Sequence, residues 1–215
     1  MELKGKTINF LGDSITEGRG VEQYGNIYFE RIKEKYALAE VNGYGISGTR
    51  LADQIEPSEC SYRDRFFASR IDEMGDADAI VVFGGTNDYG SGDSPIGEFS
   101  DRTPATFYGA CHDLFTKLIE KYPGKPIVIM TPLHRINEDE VKIKHGVSVT
   151  LKTYVDIIRE VAEYYSLPVC DMFKNSGLQP AVPAIKEKFI PDGLHPNDEG
   201  HALMAERLGE FLNKL

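Results

Sequence analysis

The sequence near the N-terminus reads TINFLGDSITEG from Thr7 to Gly18. Its first part, Thr7–Leu11, is rich in β-branched and apolar residues and runs directly into a turn flanked by glycines. Such a run is typical of a buried strand. Four more segments have the same character and are predicted as strands: Ala39–Gly43, Ala79–Phe83, Ile127–Met130 and Pro168–Asp171.

Apolar residues between the predicted strands recur at the spacing of one helix face. Two such faces comprise Phe107, Cys111, Leu114 and Leu118, and Val155, Ile158, Ala162 and Tyr165. A last helix is expected after Pro196, with Asn197 as its N-cap, and carries Met204, Leu208, Phe211 and Leu212. The alternation predicts an α/β fold, a three-layer α/β/α sandwich around a mostly parallel five-stranded sheet.

The composition is that of an ordinary globular protein of 215 residues with a net charge of −10. No repeat or Pro/Gly/Ser-rich linker divides the chain, so one domain over 1–215 is expected. The negative charge disfavours nucleic acid and anionic membranes as partners. The N-terminus lacks the apolar region of a signal peptide, which predicts a cytoplasmic protein. The sequence leaves the oligomeric state open.

Three cysteines, Cys60, Cys111 and Cys170, are scattered along the chain without a CxxC pair. This arrangement favours buried reduced thiols over a disulfide framework or a zinc site.

Polar, glycine-rich sequence follows the predicted strands, where parallel α/β sheets place their ligands. After the first strand, Ser14 lies within GDSITEG, and its hydroxyl and backbone N–H could both face a ligand at the sheet edge. Alone, GDS is equally a good turn and cap sequence. The neighbouring Asp13 is expected to point away from Ser14 and to be structural.

Two further motifs follow the next strands. NGYGISGTR, from Asn42 to Arg50, offers the uncrowded N–H of Gly48. FGGTNDYG, from Phe83 to Gly90, offers the side-chain amide of Asn87. Each segment alone also fits an ordinary loop or turn.

The segment IPDGLHPNDEGH, from Ile190 to His201, places Asp192 three residues before His195. At this spacing the carboxylate can fix the imidazole tautomer while the other ring nitrogen faces a hydroxyl. A solvated loop before a helix remains an alternative. A metal site is disfavoured because no third or fourth ligand lies at a suitable spacing.

Taken together and in this order, the four motifs resemble the SGNH hydrolase superfamily, also called GDSL lipases/acylhydrolases. The resemblance extends from Gly12 to His201, and its one departure is Ile15, where the family name has leucine. It implies a flavodoxin-like sandwich and a carboxylic ester hydrolase that needs no cofactor and no metal.

The resemblance also implies the roles of the site residues. Ser14 would be the nucleophile, His195 its base and Asp192 the residue that orients His195. The oxyanion would be bound by the N–H of Ser14, the N–H of Gly48 and the amide of Asn87. Activity would rise with pH as the histidine loses its proton.

Other polar residues near the predicted strand ends are weaker candidates. His134 and Arg135 follow the fourth strand, and Tyr89 follows Asn87, so these three could contact substrate. By contrast, His112 and His201 are interpreted as cap or surface residues.

The expected substrate is a small-molecule ester with a short acyl group, acetyl above all, on a polar scaffold such as a carbohydrate. The segments that should flank the site, 89–106 and 131–148, are polar and lack the apolar run of a long acyl tunnel. The sequence leaves open a lipase, lysophospholipase or thioesterase acting on longer chains. It also leaves open an acyltransferase and a flavodoxin-like cofactor-binding module.

Overall fold

The computed structural model describes all residues from Met1 to Leu215. The strands are β1 (Thr7–Gly12), β2 (Glu40–Gly45), β3 (Ala79–Phe83), β4 (Ile127–Met130), β5 (Lys142–Lys144), β6 (Val147–Val149) and β7 (Val169–Cys170). The helices are α1 (Ser14–Glu17), α2 (Tyr28–Tyr36), α3 (Thr86–Gly90), α4 (Phe107–Lys121), α5 (Leu151–Tyr164), α6 (Met172–Asn175), α7 (Pro183–Phe189) and α8 (Asp198–Lys214). Short 3-10 helices cover Tyr24–Asn26, Ser61–Asp64 and Phe67–Glu73.

The five predicted strands form one sheet in the order β2-β1-β3-β4-β7, with every neighbouring pair parallel. The predicted parallel five-stranded sheet is therefore confirmed. After β1 the chain forms β2 on one side of β1, at the edge of the sheet, and then returns to form β3 on the other side of β1. These two strands thus flank the switch point, where open α/β sheets bind their ligands.

Both faces of the sheet are covered, because successive residues of a strand point to opposite sides. Ile80 and Val82 of β3 join a core of 28 buried residues that includes the inner faces of α4 and α5. Val81 and Phe83 join a second core of 24 buried residues with the inner faces of α2 and α8. This arrangement confirms the three-layer sandwich.

The long helices follow the predicted apolar faces. Thr106 caps α4 by accepting the Gly109 N–H, and Asn197 caps α8 by accepting the Gly200 N–H at 3.1 Å. The predicted N-cap of the last helix is therefore confirmed. One predicted face member, Tyr165, lies just beyond the end of α5.

A small antiparallel hairpin of β5 and β6 was not predicted from the sequence. Both strands are only three residues long and largely exposed, so their alternation is too short to predict a strand. Lysine side chains attach the hairpin to the end of α3 and the loop after it: Lys142 donates to the Gly90 carbonyl at 2.6 Å, and Lys144 donates to that of Gly92.

Candidate active site

Ser14 lies at the first position of α1, two residues after the end of β1. A Cβ added to Gly12 would lie 2.0 Å from Oγ1 of Thr16, and one added to Gly45 would lie 2.2 Å from the backbone nitrogen of Glu17. The two glycines therefore let α1 pack directly on the ends of β1 and β2, which fixes Ser14 at the sheet edge.

His195 faces Ser14 from the opposite end of the sequence. Its Nε2 lies 3.1 Å from the Ser14 Oγ, across 181 residues of chain. Gly193 adopts φ 81°, in the left-handed region, which turns the chain between Asp192 and His195. A Cβ at Gly193 would also lie 2.4 Å from Cγ1 of Ile136, so the loop after β4 packs closely against this turn.

Asp192 binds His195 through both of its carboxylate oxygens. Oδ2 lies 2.7 Å from the imidazole Nδ1, and Oδ1 accepts the backbone N–H groups of Leu194 at 2.8 Å and His195 at 2.7 Å. Partial burial opposes ionisation, but the hydrogen bonds from the His195 backbone and ring hold the pKa of Asp192 below its usual value. An ionised carboxylate only accepts, so Nδ1 carries the ring proton and Nε2 presents a lone pair to the Ser14 hydroxyl.

The groups predicted for the oxyanion site lie on loops that leave the sheet at the same level as the Ser14 turn. The strand register sets Gly12 level with Gly45 and Phe83, so the loops after β1, β2 and β3 leave the sheet together. The side-chain nitrogen of Asn87 donates to the Thr49 carbonyl at 3.0 Å, which ties the loop after β3 to the loop after β2.

Gly48 adopts a left-handed backbone conformation, which favours glycine over other residues. Its φ is 80°, and a Cβ there would lie 3.0 Å from Cδ of Arg63. The Gly48 N–H donates to no group of the protein, so it is free to bind a ligand.

Two buried carboxyl groups support these loops. Asp13 accepts the Ile15 N–H at 3.1 Å, and burial raises its pKa to about 7. Asp88 accepts the N–H groups of Leu51 at 3.1 Å and Ala52 at 3.0 Å, and burial raises its pKa to about 6. Asp13 is thus the N-cap of α1, in line with the structural role expected for it.

The three predicted substrate contacts have different environments. Tyr89 is 1% exposed, and its hydroxyl donates towards the carbonyls of Asn137 and Glu140. The expectation that Tyr89 contacts substrate is therefore corrected: packing and hydrogen bonds hold it behind the loop after β4. Arg135 packs against α3, where its guanidinium carbon lies 5.7 Å from the centre of the Tyr89 ring and its Nη1 donates to the Thr86 carbonyl at 3.2 Å.

His134 stays beside the site. Its ring packs on Phe173, with centroids 3.9 Å apart, and its Nδ1 lies 2.8 Å from a Glu138 oxygen. His134 also lines a narrow crevice next to the turn that carries Ser14. The other residues of this crevice are Asp13, Ile15, Phe83, Gly84, Thr86, Pro132, Leu133 and Leu194.

The interpretation of His112 and His201 as cap or surface residues is wrong for both. His112 is fully buried in α4, where its Nδ1 pairs with the Tyr165 hydroxyl at 3.0 Å. His201 is fully buried in α8 and accepts the Tyr28 N–H at 3.1 Å. Burial lowers the pKa of His201 to about 4, so it is neutral at physiological pH.

The cysteines are all free thiols, as predicted, although Cys60 is only half-buried whereas Cys111 and Cys170 are buried. None of the helices has the length and apolar character needed to cross a bilayer.

Comparison with known proteins identifies the family. The model of the GDSL-like lipase/acylhydrolase family matches residues 10–203. No curated protein matches the sequence. A solved protein from Lactobacillus plantarum is 29% identical, with a TM-score of 0.84 and 98% of each chain covered.

More distant solved structures share the fold. A possible lipase from Chitinophaga pinensis is 23% identical, with a TM-score of 0.70 and coverage of 97% of this chain and 98% of that one. An acetyl xylan esterase, AlAXEase, is 20% identical, with a TM-score of 0.64 and coverage of 94% and 97%. The match over most of the chain shows that this protein belongs to the GDSL-like lipase/acylhydrolase family, which implies ester hydrolysis.

Proposed function

We propose that this protein is a serine esterase in which Ser14 attacks the ester carbonyl, His195 is the general base and Asp192 orients His195. The observation that carries the proposal is the continuous chain of contacts from the Asp192 carboxylate through the imidazole to the Ser14 hydroxyl. A hydroxyl becomes a useful nucleophile when a base within hydrogen-bond distance accepts its proton. The 3.1 Å between Ser14 Oγ and His195 Nε2 meets that requirement.

The negative charge formed by this attack would be stabilised by the N–H of Ser14, the N–H of Gly48 and the amide of Asn87. The free Gly48 N–H supports this role. So does the position of Asn87, whose amide nitrogen carries a second hydrogen beyond the one donated to Thr49. Fixed uncharged donors bind an oxyanion more strongly than the ground-state carbonyl, and this difference lowers the barrier.

The reaction would then proceed by acyl transfer to Ser14 and on to water. His195, protonated by the attack, returns its proton to the departing alcohol as the carbon–oxygen bond breaks. A water molecule then loses a proton to His195 and attacks the acyl-enzyme, which releases the carboxylic acid and restores the Ser14 hydroxyl.

We further propose a short acyl group, acetyl above all, on a polar scaffold such as a carbohydrate. The segments that flank the site, 89–106 and 131–148, lack the continuous apolar run that would line a long acyl tunnel. The crevice beside the Ser14 turn is narrow and offers no space for a long chain. The segments next to it carry polar groups such as His134 and Glu138. The acetyl xylan esterase has the same fold at 20% identity, which makes the reaction compatible with the fold.

The test is hydrolysis of p-nitrophenyl acetate, butyrate, octanoate and palmitate, followed by acetylated oligosaccharides, with Ser14→Ala as the inactive control. We expect kcat/KM to decline stepwise from acetate to the longer esters, because each methylene that the site does not accommodate costs about 1–3 kcal/mol of transition-state binding. Release of acetate from the oligosaccharides would support the carbohydrate scaffold.

A kcat/KM that climbs steadily to palmitate would instead make the protein a lipase or lysophospholipase. Product analysis with a competing alcohol separates a hydrolase, which yields the free acid, from an acyltransferase, which yields the new ester.

A further inference from the structure

Arg70 is a buried cation that contacts three segments of the site at once. It is 2% exposed and lies in the 3-10 helix Phe67–Glu73, with its guanidinium carbon 4.9 Å from the centre of the Phe67 ring. No carboxylate lies within ion-pair distance of it. Burying an arginine without a counter-ion is costly, so its hydrogen bonds must compensate.

Those hydrogen bonds connect the ends of β1 and β2 with the loop that carries Gly48. Nη1 donates to the Tyr44 carbonyl at 2.7 Å, near the end of β2. Nη2 donates to the Gly12 carbonyl at 3.1 Å, two residues before Ser14, and to Oγ1 of Thr49 at 3.2 Å, one residue after Gly48. One planar guanidinium therefore spans the nucleophile turn and the oxyanion-site turn.

Thr49 is held from two other directions as well. Its hydroxyl donates to the Ile46 carbonyl at 2.8 Å, which leaves the oxygen lone pairs to accept from Arg70. Its carbonyl accepts from the Asn87 amide at 3.0 Å. Thr49 is thus fixed through its side chain by Arg70 and through its backbone by Asn87, immediately beside Gly48.

We infer that Arg70, acting through Thr49, is a positioning residue that sets the Gly48 N–H and the Asn87 amide against the oxyanion. Arg70 itself touches neither substrate nor the reacting atoms. The inference rests on the proposed esterase mechanism and adds a buried clamp to it. A displacement of about 1 Å in a catalytic group can cost roughly 10²-fold in rate, so loss of this clamp should act on kcat.

The test uses Thr49→Val, which removes the acceptor at nearly constant shape, and Thr49→Ser, which keeps it. Arg70→Lys keeps a positive charge but lacks the fork that reaches three acceptors. Arg65→Lys is the control, because Arg65 is an exposed neighbour that pairs with Glu73 outside the site. The substrate is p-nitrophenyl acetate, and folding is checked by far-UV and near-UV circular dichroism.

Thr49→Val and Arg70→Lys should each lower kcat by roughly 10–10²-fold with KM within about twofold. Binding of an aryl trifluoromethyl ketone, which forms an oxyanion on the serine, should weaken in the same proportion as kcat/KM. Thr49→Ser and Arg65→Lys should retain activity. The double variant Thr49→Val/Arg70→Lys should lose less than the product of the two single losses, because both changes remove the contact between Arg70 and Thr49.

The inference is overturned if folded Thr49→Val and Arg70→Lys keep the wild-type kcat. It is also overturned if they raise KM without weakening ketone binding, or if their effects on kcat multiply. These outcomes differ from failure of the esterase mechanism itself, in which the wild-type protein and Ser14→Ala would have equal activity.

Discussion

The carboxylate of Asp192 holds His195 at two places, since Oδ2 lies 2.7 Å from the ring Nδ1 while Oδ1 accepts the His195 backbone N–H at 2.7 Å. The side chain of Asp192 is 55% exposed, whereas that of His195 is only 14% exposed. The orienting carboxylate thus lies on the solvent side of the imidazole, and its backbone contacts fix it there.

Asp192→Asn should impair activity severely without unfolding the protein. The asparagine oxygen can still accept the backbone N–H groups, but the NH₂ group then faces Nδ1 and forces the proton onto Nε2. That tautomer cannot accept the proton of Ser14, and a loss in kcat of roughly 10²–10⁴-fold is expected. Steady-state kinetics with matched thermal melts checks this. A loss below about tenfold would mean that another group orients His195.

Asn87→Ala should lower kcat by roughly 10²–10³-fold with little change in KM, because its amide binds charge that develops in the transition state. The variant also removes the hydrogen bond to the Thr49 carbonyl, so a change in the Gly48 turn adds to the loss. Kinetics with p-nitrophenyl acetate checks this. A large rise in KM at constant kcat would make Asn87 a substrate-binding residue instead.

Activity should rise from about pH 5 to pH 8, because only a neutral imidazole can accept the proton of the Ser14 hydroxyl. The depressed pKa of Asp192 keeps its carboxylate ionised through this range, so it should add no second transition there. The measurement is kcat/KM for p-nitrophenyl acetate at constant ionic strength. A flat profile would contradict a histidine base.

Asp13 should make the protein less stable as pH rises. Its folded pKa of about 7 exceeds the ordinary 3.8, so between these values the folded state binds more protons than the unfolded state. The free energy of unfolding therefore falls as pH rises through this window. Asp13→Asn keeps an oxygen acceptor for the Ile15 N–H but cannot titrate.

Urea unfolding at pH 4, 5, 6, 7 and 8 measures this effect. The stability of Asp13→Asn relative to wild type should increase from pH 4 to 7, by up to about 4 kcal/mol, and then stay level. Asp72→Asn, at an exposed aspartate, serves as the control. A constant difference across the series would show that Asp13 does not titrate in this window.

The sheet and the grouping of the site motifs could be predicted because they depend on local sequence. Thr7–Leu11 and Ala79–Phe83 carry the apolar character of buried strands, and parallel strands bring the loops after them to one edge. The sequence therefore predicts that Ser14 and Asn87 lie at the same edge of the sheet without any knowledge of distant contacts.

Features that depend on distant partners could not be predicted. His112 is buried where its Nδ1 meets the hydroxyl of Tyr165, 53 residues away, and His201 is buried where it accepts the backbone N–H of Tyr28, 173 residues away. Arg70 has no motif around it, and only the folded chain brings it to Gly12 and Thr49. Local spacing carries no signal for such contacts.

The most direct test of the account is labelling with a fluorophosphonate, followed by mass spectrometry of the adduct. We expect stoichiometric labelling on Ser14, none in Ser14→Ala, and strongly slowed labelling in His195→Ala. His145→Asn is the control: this exposed imidazole lies on the turn of the β5–β6 hairpin, 2.6 Å from the Asp93 carbonyl, so the variant should label at nearly the wild-type rate. Absence of labelling, or an adduct on a residue other than Ser14, would contradict the account.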